Sequence, residues 1–207
     1  MSETDTTTIN FRNTTFVGSF GRLDDVPTVD LPHVLIVGKS NVGKSSLLNA
    51  LTGQKHARVS GTPGKTRLIL IFDVDQHFRL VDLPGYGFAK AGKTTQQTFA
   101  KLTETFVLNH RIDLSLLLLD SRHEPTELDL HMLQFLRGLD APWFPVLTKS
   151  DKCSQSELQR ARRRLIESHG LTAATAPLAV SAERRRGIFE LRERIAGTFG
   201  LRAKRTD

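Results

Sequence analysis

Short apolar runs alternate with amphipathic stretches along this chain. Val34-Leu35-Ile36-Val37, inside a strand predicted over His33–Val37, is unbroken, and Ser115–Asp120 reads Ser-Leu-Leu-Leu-Leu-Asp. Continuous apolarity of this length is the mark of parallel strands buried on both faces. Leu68–Phe72 and His77–Val81 predict two further strands joined by a turn at Asp73–Gln76, and Phe144–Thr148 and Leu178–Val180 predict two more. Helical spacing fills the gaps: Lys44 to Leu51, closed by Gly53; a segment ending near Asn109; Leu128, Phe135, Leu136 and Leu139; Leu158, Ala161 and Leu165; and the stripe Ile188, Leu191, Ile195 and Phe199. Strands alternating with helices predict an α/β fold, a mostly parallel sheet with helices on both faces. Pro145 and Pro177 fall in strand segments, so each is expected at a strand start or edge. Residues 1–30 lack periodicity and read as a loose N-terminal extension tied down in part by Phe16, Val17 and Phe20. Residues 31–200 read as one domain and residues 201–207 as a basic C-terminal tail.

At 207 residues the chain suits one core. Cys153 is its only cysteine, which excludes an intrachain disulfide and a thiol metal cluster and points to a reducing, cytoplasmic compartment. No apolar run reaches membrane length and the polar start, Met1 to Asn10, lacks a secretory layout, so no membrane partner is expected. Nothing demands a dimer. The net charge of +7 favours polyanionic partners, nucleic acid first. Basic residues cluster at Arg160, Arg162, Arg163 and Arg164, at Arg184, Arg185 and Arg186, and at Arg202, Lys204 and Arg205.

Specific chemistry enters at Gly38-Lys39-Ser40-Asn41-Val42-Gly43-Lys44-Ser45, a G-x-x-x-x-G-K-S run between strand and helix. Glycines let the backbone curl so that successive N–H groups face phosphate oxygens, and the following helix adds its positive end. Lys44 reaches β- and γ-phosphates, and the Ser45 hydroxyl, beside Ser46, suits Mg²⁺. Three more loops sit at predicted strand ends, where ligands bind in such sheets, and a fourth, around Thr66, lies between the first helix and the next strand. Asp82-Leu83-Pro84-Gly85 offers a carboxylate for Mg²⁺ through water and a Gly85 N–H for the γ-phosphate. Thr66, in Gly64-Lys65-Thr66-Arg67-Leu68, offers a hydroxyl that completes the Mg²⁺ shell while the γ-phosphate is present. In Thr148-Lys149-Ser150-Asp151 the Asp151 carboxylate accepts from guanine N1–H and the 2-amino group, which adenine cannot match, and the Lys149 stem covers the base. Val180-Ser181-Ala182 offers N–H groups to guanine O6. The expected ligand is GTP, with GDP as product. Three uses of it stay open: a GTPase switch, a nucleotide-gated RNA-binding factor whose hydrolysis matters little, and a P-loop ATPase or kinase that Asp151 argues against.

These runs, together with Tyr86-Gly87-Phe88-Ala89-Lys90 after Gly85, Arg122-His123-Glu124-Pro125-Thr126, and Leu147 and Lys152 around the base motif, resemble the EngB GTPases of the bacterial TrmE–Era–EngA–EngB group over roughly residues 16–200. The resemblance implies a Ras-like fold, Mg²⁺-dependent GTP hydrolysis, and a role in assembling the large ribosomal subunit, linked to cell division and septation. It differs in the basic run Arg184–Arg186 beside Ser181-Ala182, and in His33, where many members have an acid.

Many GTPases of this fold carry Gln directly after D-x-x-G to orient the attacking water; here Tyr86 stands there, so intrinsic hydrolysis is expected to be slow. Lys44, Mg²⁺ and loop N–H groups, with Thr66 and Gly85, remain to stabilise the transferring phosphoryl. In related GTPases an Asn at the position of Asn41 helps hold potassium, so two readings stay open for it: potassium activation, or an Asn that only stabilises the loop. Thr126 is expected to cap a helix rather than take part in catalysis.

Overall fold

The computed structural model describes residues 7–55, 68–87 and 103–205. Among the described residues nine strands run in chain order: β1 (Thr8–Ile9), β2 (Thr14–Phe20), β3 (His33–Gly38), β4 (Ile69–Val74), β5 (Phe78–Asp82), β6 (Leu114–Asp120), β7 (Trp143–Thr148), β8 (Leu178–Ala179) and β9 (Arg202–Ala203). The helices are α1 (Lys44–Thr52), α2 (described over 103–109), α3 (Glu127–Arg137), α4 (Gln155–His169) and α5 (Ile188–Thr198). Seven strands form one sheet in the order β2-β4-β5-β3-β6-β7-β8. β5, β3, β6, β7 and β8 are mutually parallel, while β4 runs antiparallel to both β2 and β5.

The strand alternation explains the two-faced core. In β3, Val34 and Ile36 join one apolar cluster with Leu47, Leu48 and Leu51 of α1 and Leu191 and Ile195 of α5. Leu35 and Val37 join the other, with Phe106 of α2, Leu133 and Leu136 of α3 and Leu165 of α4. Successive side chains of a strand point to opposite faces, so an unbroken apolar run is what a sheet covered on both sides requires. Because these strands are parallel, their carboxyl ends share one edge, and Gly38, Asp82, Asp120, Thr148 and Ala179 all end strands there.

The N-terminal segment departs from the loose extension read from sequence. Over its described residues it supplies β2, paired antiparallel with β4 along Thr14↔Val74 to Phe20↔Ile69, with a register shift between Phe16 and Gly18. β1 pairs in parallel with β9 of the presumed tail, and Ile9 and Phe11 are fully buried. Phe11 meets Phe78 edge-on at 5.7 Å, and Phe78 stacks on Phe199 at 5.2 Å. One or two apolar residues per element gave no period to read, yet burial of Ile9 and Phe11 stabilises the segment by roughly 1.5–3 kcal/mol per side chain. Pro177 precedes β8 as expected, but Pro145 lies inside β7. It is tolerated because pairing with β8 begins only at Val146↔Leu178, so no ladder partner waits for the missing N–H.

Candidate functional site

The loop after β3 is held from two sides. Val42 N–H donates to the Lys39 carbonyl at 3.2 Å, closing a turn in which Asn41 has φ 63° and Gly43 φ 112°. A side chain at the Gly43 angles would be strained, and the residue opens α1, whose first amide bond runs from Leu47 N–H to Gly43 C=O at 2.8 Å. Ser45 and Ser46 lie in the first turn of α1, where unpaired N–H groups point out of the helix. From one side, Ser40 N–H donates to Tyr86 C=O at 2.8 Å and Ser40 Oγ donates to Gly85 C=O at 3.1 Å, binding the loop to Leu83-Pro84-Gly85. A Cβ on Gly85 would lie 2.7 Å from Lys44 Nζ and 2.9 Å from the Ser40 backbone, so only glycine fits. From the other side, the buried Thr148 hydroxyl, 2.6 Å from the Val42 carbonyl and 3.1 Å from that of Leu119, bridges loop and sheet.

Asp82 and Lys44 are the charged pair of the site. Asp82 is 1% exposed, and neither of its carboxylate oxygens has a hydrogen-bond partner among the described residues. Burial raises its pKa to about 6 against the opposing pull of Lys44. Burial likewise lowers the Lys44 pKa, partly offset by Asp82, and Lys44 Nζ donates to the Gly38 carbonyl at 3.4 Å. An orphaned buried carboxylate facing a lysine is a costly arrangement for a purely structural site. It suits a site completed by a hydrated divalent cation and an anion.

The base end is built by the β7 and β8 loops. Ser150 N–H donates to Val180 C=O at 3.1 Å and Val180 N–H to Leu147 C=O at 2.8 Å, which brings Asp151 and Ser181 together. Ser181 Oγ donates to Asp151 Oδ1 at 2.6 Å, and this bond, against burial, lowers the Asp151 pKa. Lys152 Nζ lies 3.3 Å from Asp151 Oδ2. Lys149, at φ 56°, lays its side chain across the phosphate loop, with Nζ 2.7 Å from the Asn41 carbonyl and 2.9 Å from Asp120 Oδ2. Burial pushes the Asp120 pKa up, but hydrogen bonds from Arg122 and Lys149 outweigh it and hold the carboxyl well below the usual range.

The structure therefore gathers Gly38 to Ser46, Asp82 to Gly85, Thr148 to Asp151 and Val180 to Ala182 at one edge of the sheet. Leu68 lies at the same end, since antiparallel β4 starts beside Asp82 through Leu70↔Asp82. Gly64, Lys65, Thr66 and Arg67 lie outside the described residues. Three links escaped sequence reasoning. They are the Thr148 bridge, the Lys149–Asp120 pair, and Tyr86, whose hydroxyl donates to Asp129 Oδ1 at 2.7 Å. Asp129 Oδ2 accepts from Thr126 N–H and Oγ1 at 2.8 and 2.7 Å, and Thr126 caps α3 as expected. Glu124 pairs with Arg164 of α4. A cavity of about 280 Å³ lies between the phosphate loop and the Arg122–Thr126 segment.

Residues 33–149 match the family model described as 50S ribosome-binding GTPase. A probable GTP-binding protein EngB of Pelotomaculum thermopropionicum is 41% identical over 93% of this chain and 98% of its own length. A crystal structure of a probable GTP-binding protein EngB aligns with TM-score 0.69 at 29% identity, covering 80% of this chain and 97% of the other. The structure of Aquifex aeolicus Era bound to GDP and AlF4⁻ aligns with TM-score 0.68 over 86% of this chain and 59% of Era; at 22% identity it shows the fold alone. The fold is Ras-like, and the chain belongs to the EngB family of GTP-binding proteins within the ribosome-binding GTPases.

Proposed function

We propose that the protein hydrolyses GTP to GDP and phosphate in a Mg²⁺-dependent reaction that is slow without an activator. The observation that carries this reading is Asp82, a buried carboxylate whose two oxygens have no hydrogen-bond partner among the described residues, beside the buried Lys44. Water molecules of a bound Mg²⁺ would satisfy those oxygens, with the hydroxyls of Ser45 and Thr66 as ligands. When bound, the ion neutralises charge developing on the β- and γ-phosphate oxygens.

The chain's own groups do the rest. With Ser40 N–H held by Tyr86 C=O and Val42 N–H by Lys39 C=O, the remaining N–H groups between residues 41 and 46 cradle the phosphates, Lys44 offsets charge on the transferring phosphoryl, and Gly85 N–H and Thr66 engage the γ-phosphate. Leu83 and Pro84 lead into Gly85, and Gly64, Lys65, Arg67 and Leu68 flank Thr66 in the sequence. Asp151 reads guanine N1–H and the 2-amino group, Lys149 covers the base, and Val180, Ser181 and Ala182 face O6. Tyr86 gives its hydroxyl to Asp129 and presents no carboxamide to a water, which supports slow intrinsic hydrolysis. Asn41 would help hold a potassium ion, which would supply positive charge beside the phosphates; equal rates in matched potassium and sodium buffers would exclude it.

The biological role proposed is that of a monomeric, cytoplasmic switch on the large ribosomal subunit during its assembly, touching ribosomal RNA and required for normal cell division and septation. The family description and the net charge of +7 support the partner. Cosedimentation with ribosomal subunits in GTP-analogue, GDP and empty states, at several salt concentrations, tests it. Binding to the 50S subunit that favours the GTP analogue is expected; nucleotide-independent binding would contradict both the switch and the nucleotide-gated reading. Lys44→Ala should abolish nucleotide binding, read by fluorescent-GDP titration.

A further inference from the structure

The three arginines that set this chain apart form one fixed turn. Arg184, Arg185 and Arg186 are exposed, and among the described residues no ion pair involves them. The α4 cluster is different: Arg163 pairs with Glu167 at 2.7 Å and Arg164 with Glu124. The turn is not a floppy loop. Ser181 N–H donates to Arg186 C=O at 2.9 Å, Arg184 N–H donates to Ser181 Oγ at 3.0 Å, and Arg185 sits at φ 53°.

Its surroundings add positive charge. Arg205 lies over the Phe189 ring at 4.9 Å in the first turn of α5, just past the turn. Behind it Arg192 is buried, its Nε donating to Leu51 C=O at 2.8 Å at the end of α1; burial lowers its pKa, and so do Arg185 and Arg12. Of the nearby acids, Glu183 is engaged by Lys152 at 3.3 Å, and Glu190 is exposed in the first turn of α5. Guanidinium groups on a preset backbone suit phosphodiester oxygens, which take paired N–H donors.

We propose that the Arg184–Arg186 turn binds the phosphate backbone of RNA and that this contact is coupled to nucleotide release through the Ser181 hydroxyl. The proposal rests on the readings above of Asp151 as the base-contacting residue and of RNA as partner. One oxygen joins the two: Ser181 Oγ accepts from Arg184 N–H and donates to Asp151 Oδ1. Three adjacent cations repel one another, and a phosphate that neutralises them holds the turn closed, keeping Ser181 on Asp151. RNA then slows nucleotide release. Since GTP and GDP share the base, both are slowed by the same factor.

The test compares the full chain with Arg184→Gln/Arg185→Asn/Arg186→Gln, where Asn tolerates the positive φ at position 185, and with Arg160→Gln/Arg163→Gln on α4. Binding of 23S ribosomal RNA and of 50S subunits is measured across salt concentrations, and fluorescent-GDP and fluorescent-GTP release with and without RNA. The turn variant should lose about tenfold or more in affinity, and its log–log salt slope should fall by about 2 to 3, one phosphate contact per arginine. RNA should slow release of both nucleotides about fivefold in the wild type and the α4 variant, and not in the turn variant. If the triple variant is misfolded by thermal denaturation, each single substitution should still lower the slope by about 0.7 to 0.9. Wild-type affinity and slope in the turn variant would overturn the proposal and leave the ribosomal reading standing. Failure of the wild type to bind RNA or 50S subunits would overturn both, and preference for anionic vesicles over RNA would assign the turn to another partner.

Discussion

Replacing Asp82 by Asn should make the nucleotide-free protein less sensitive to alkali, because the wild type keeps a buried carboxylate that resists ionising. The folded pKa is about 6 against an ordinary 3.8. Above the unfolded value the unfolded chain releases its proton first, so the native state holds more protons and stability falls as pH rises through that window. At about 1.4 kcal/mol per pH unit the full cost approaches 3 kcal/mol, and about 2 kcal/mol of it develops between about pH 4.5 and about pH 7. Asn is uncharged at both values, and the cost of burying its unpartnered amide does not change with pH. The stability of Asp82→Asn relative to wild type, from urea unfolding of nucleotide-free protein, should therefore improve by about 2 kcal/mol over that interval, or about 4–8 °C in Tm. The comparison must be a difference between the two proteins, because His33 tilts the wild-type curve the other way. A relative stability that does not change with pH would refute the picture of a desolvated, unpartnered Asp82. The same substitution should weaken Mg²⁺-dependent GTP binding while leaving the fold intact.

His33 is buried with neither ring nitrogen partnered among the described residues, and burial, helped by His110 and Arg79, lowers its pKa to about 4. The unfolded chain then binds the extra proton first as pH falls below about 6.5, so His33→Phe should gain about 2 kcal/mol over wild type between about pH 7 and about pH 4.5, measured by urea unfolding. Gly85→Ala places a methyl against Lys44 Nζ and the Ser40 backbone and should weaken GTP-analogue binding at least tenfold by fluorescence titration, with a smaller loss of thermal stability. Thr148→Val keeps the shape of a buried residue but removes the one hydroxyl donor placed between the Val42 and Leu119 carbonyls, and should cost about 1–3 kcal/mol in unfolding free energy.

The parallel core was legible because burial on both faces leaves an unbroken apolar run, as in Val34–Val37 and Leu116–Leu119. The loops that gather at the strand ends were legible because backbone curvature and phosphate chemistry leave few choices of residue type at fixed spacing. The edge was not. β2 carries Phe16 half exposed and a register shift, and β1 and β9 are two residues each, so neither period nor length marked them. Local chemistry also hid Tyr86: its place after Gly85 says what it cannot do, whereas its bond to Asp129 depends on where α3 begins in space. Ser181 was read for its N–H groups alone, and only the folded loops show its hydroxyl on Asp151.

The central claim, that the strand-end loops bind a guanine nucleotide with Asp151 reading the base, is tested most directly by displacing fluorescent GDP from the purified protein with GTP and with ATP. GTP should displace it at concentrations at least about a thousandfold lower than ATP, the discrimination expected of a site built to hydrogen-bond donors that the wrong base lacks. Equal competition by ATP would contradict the account.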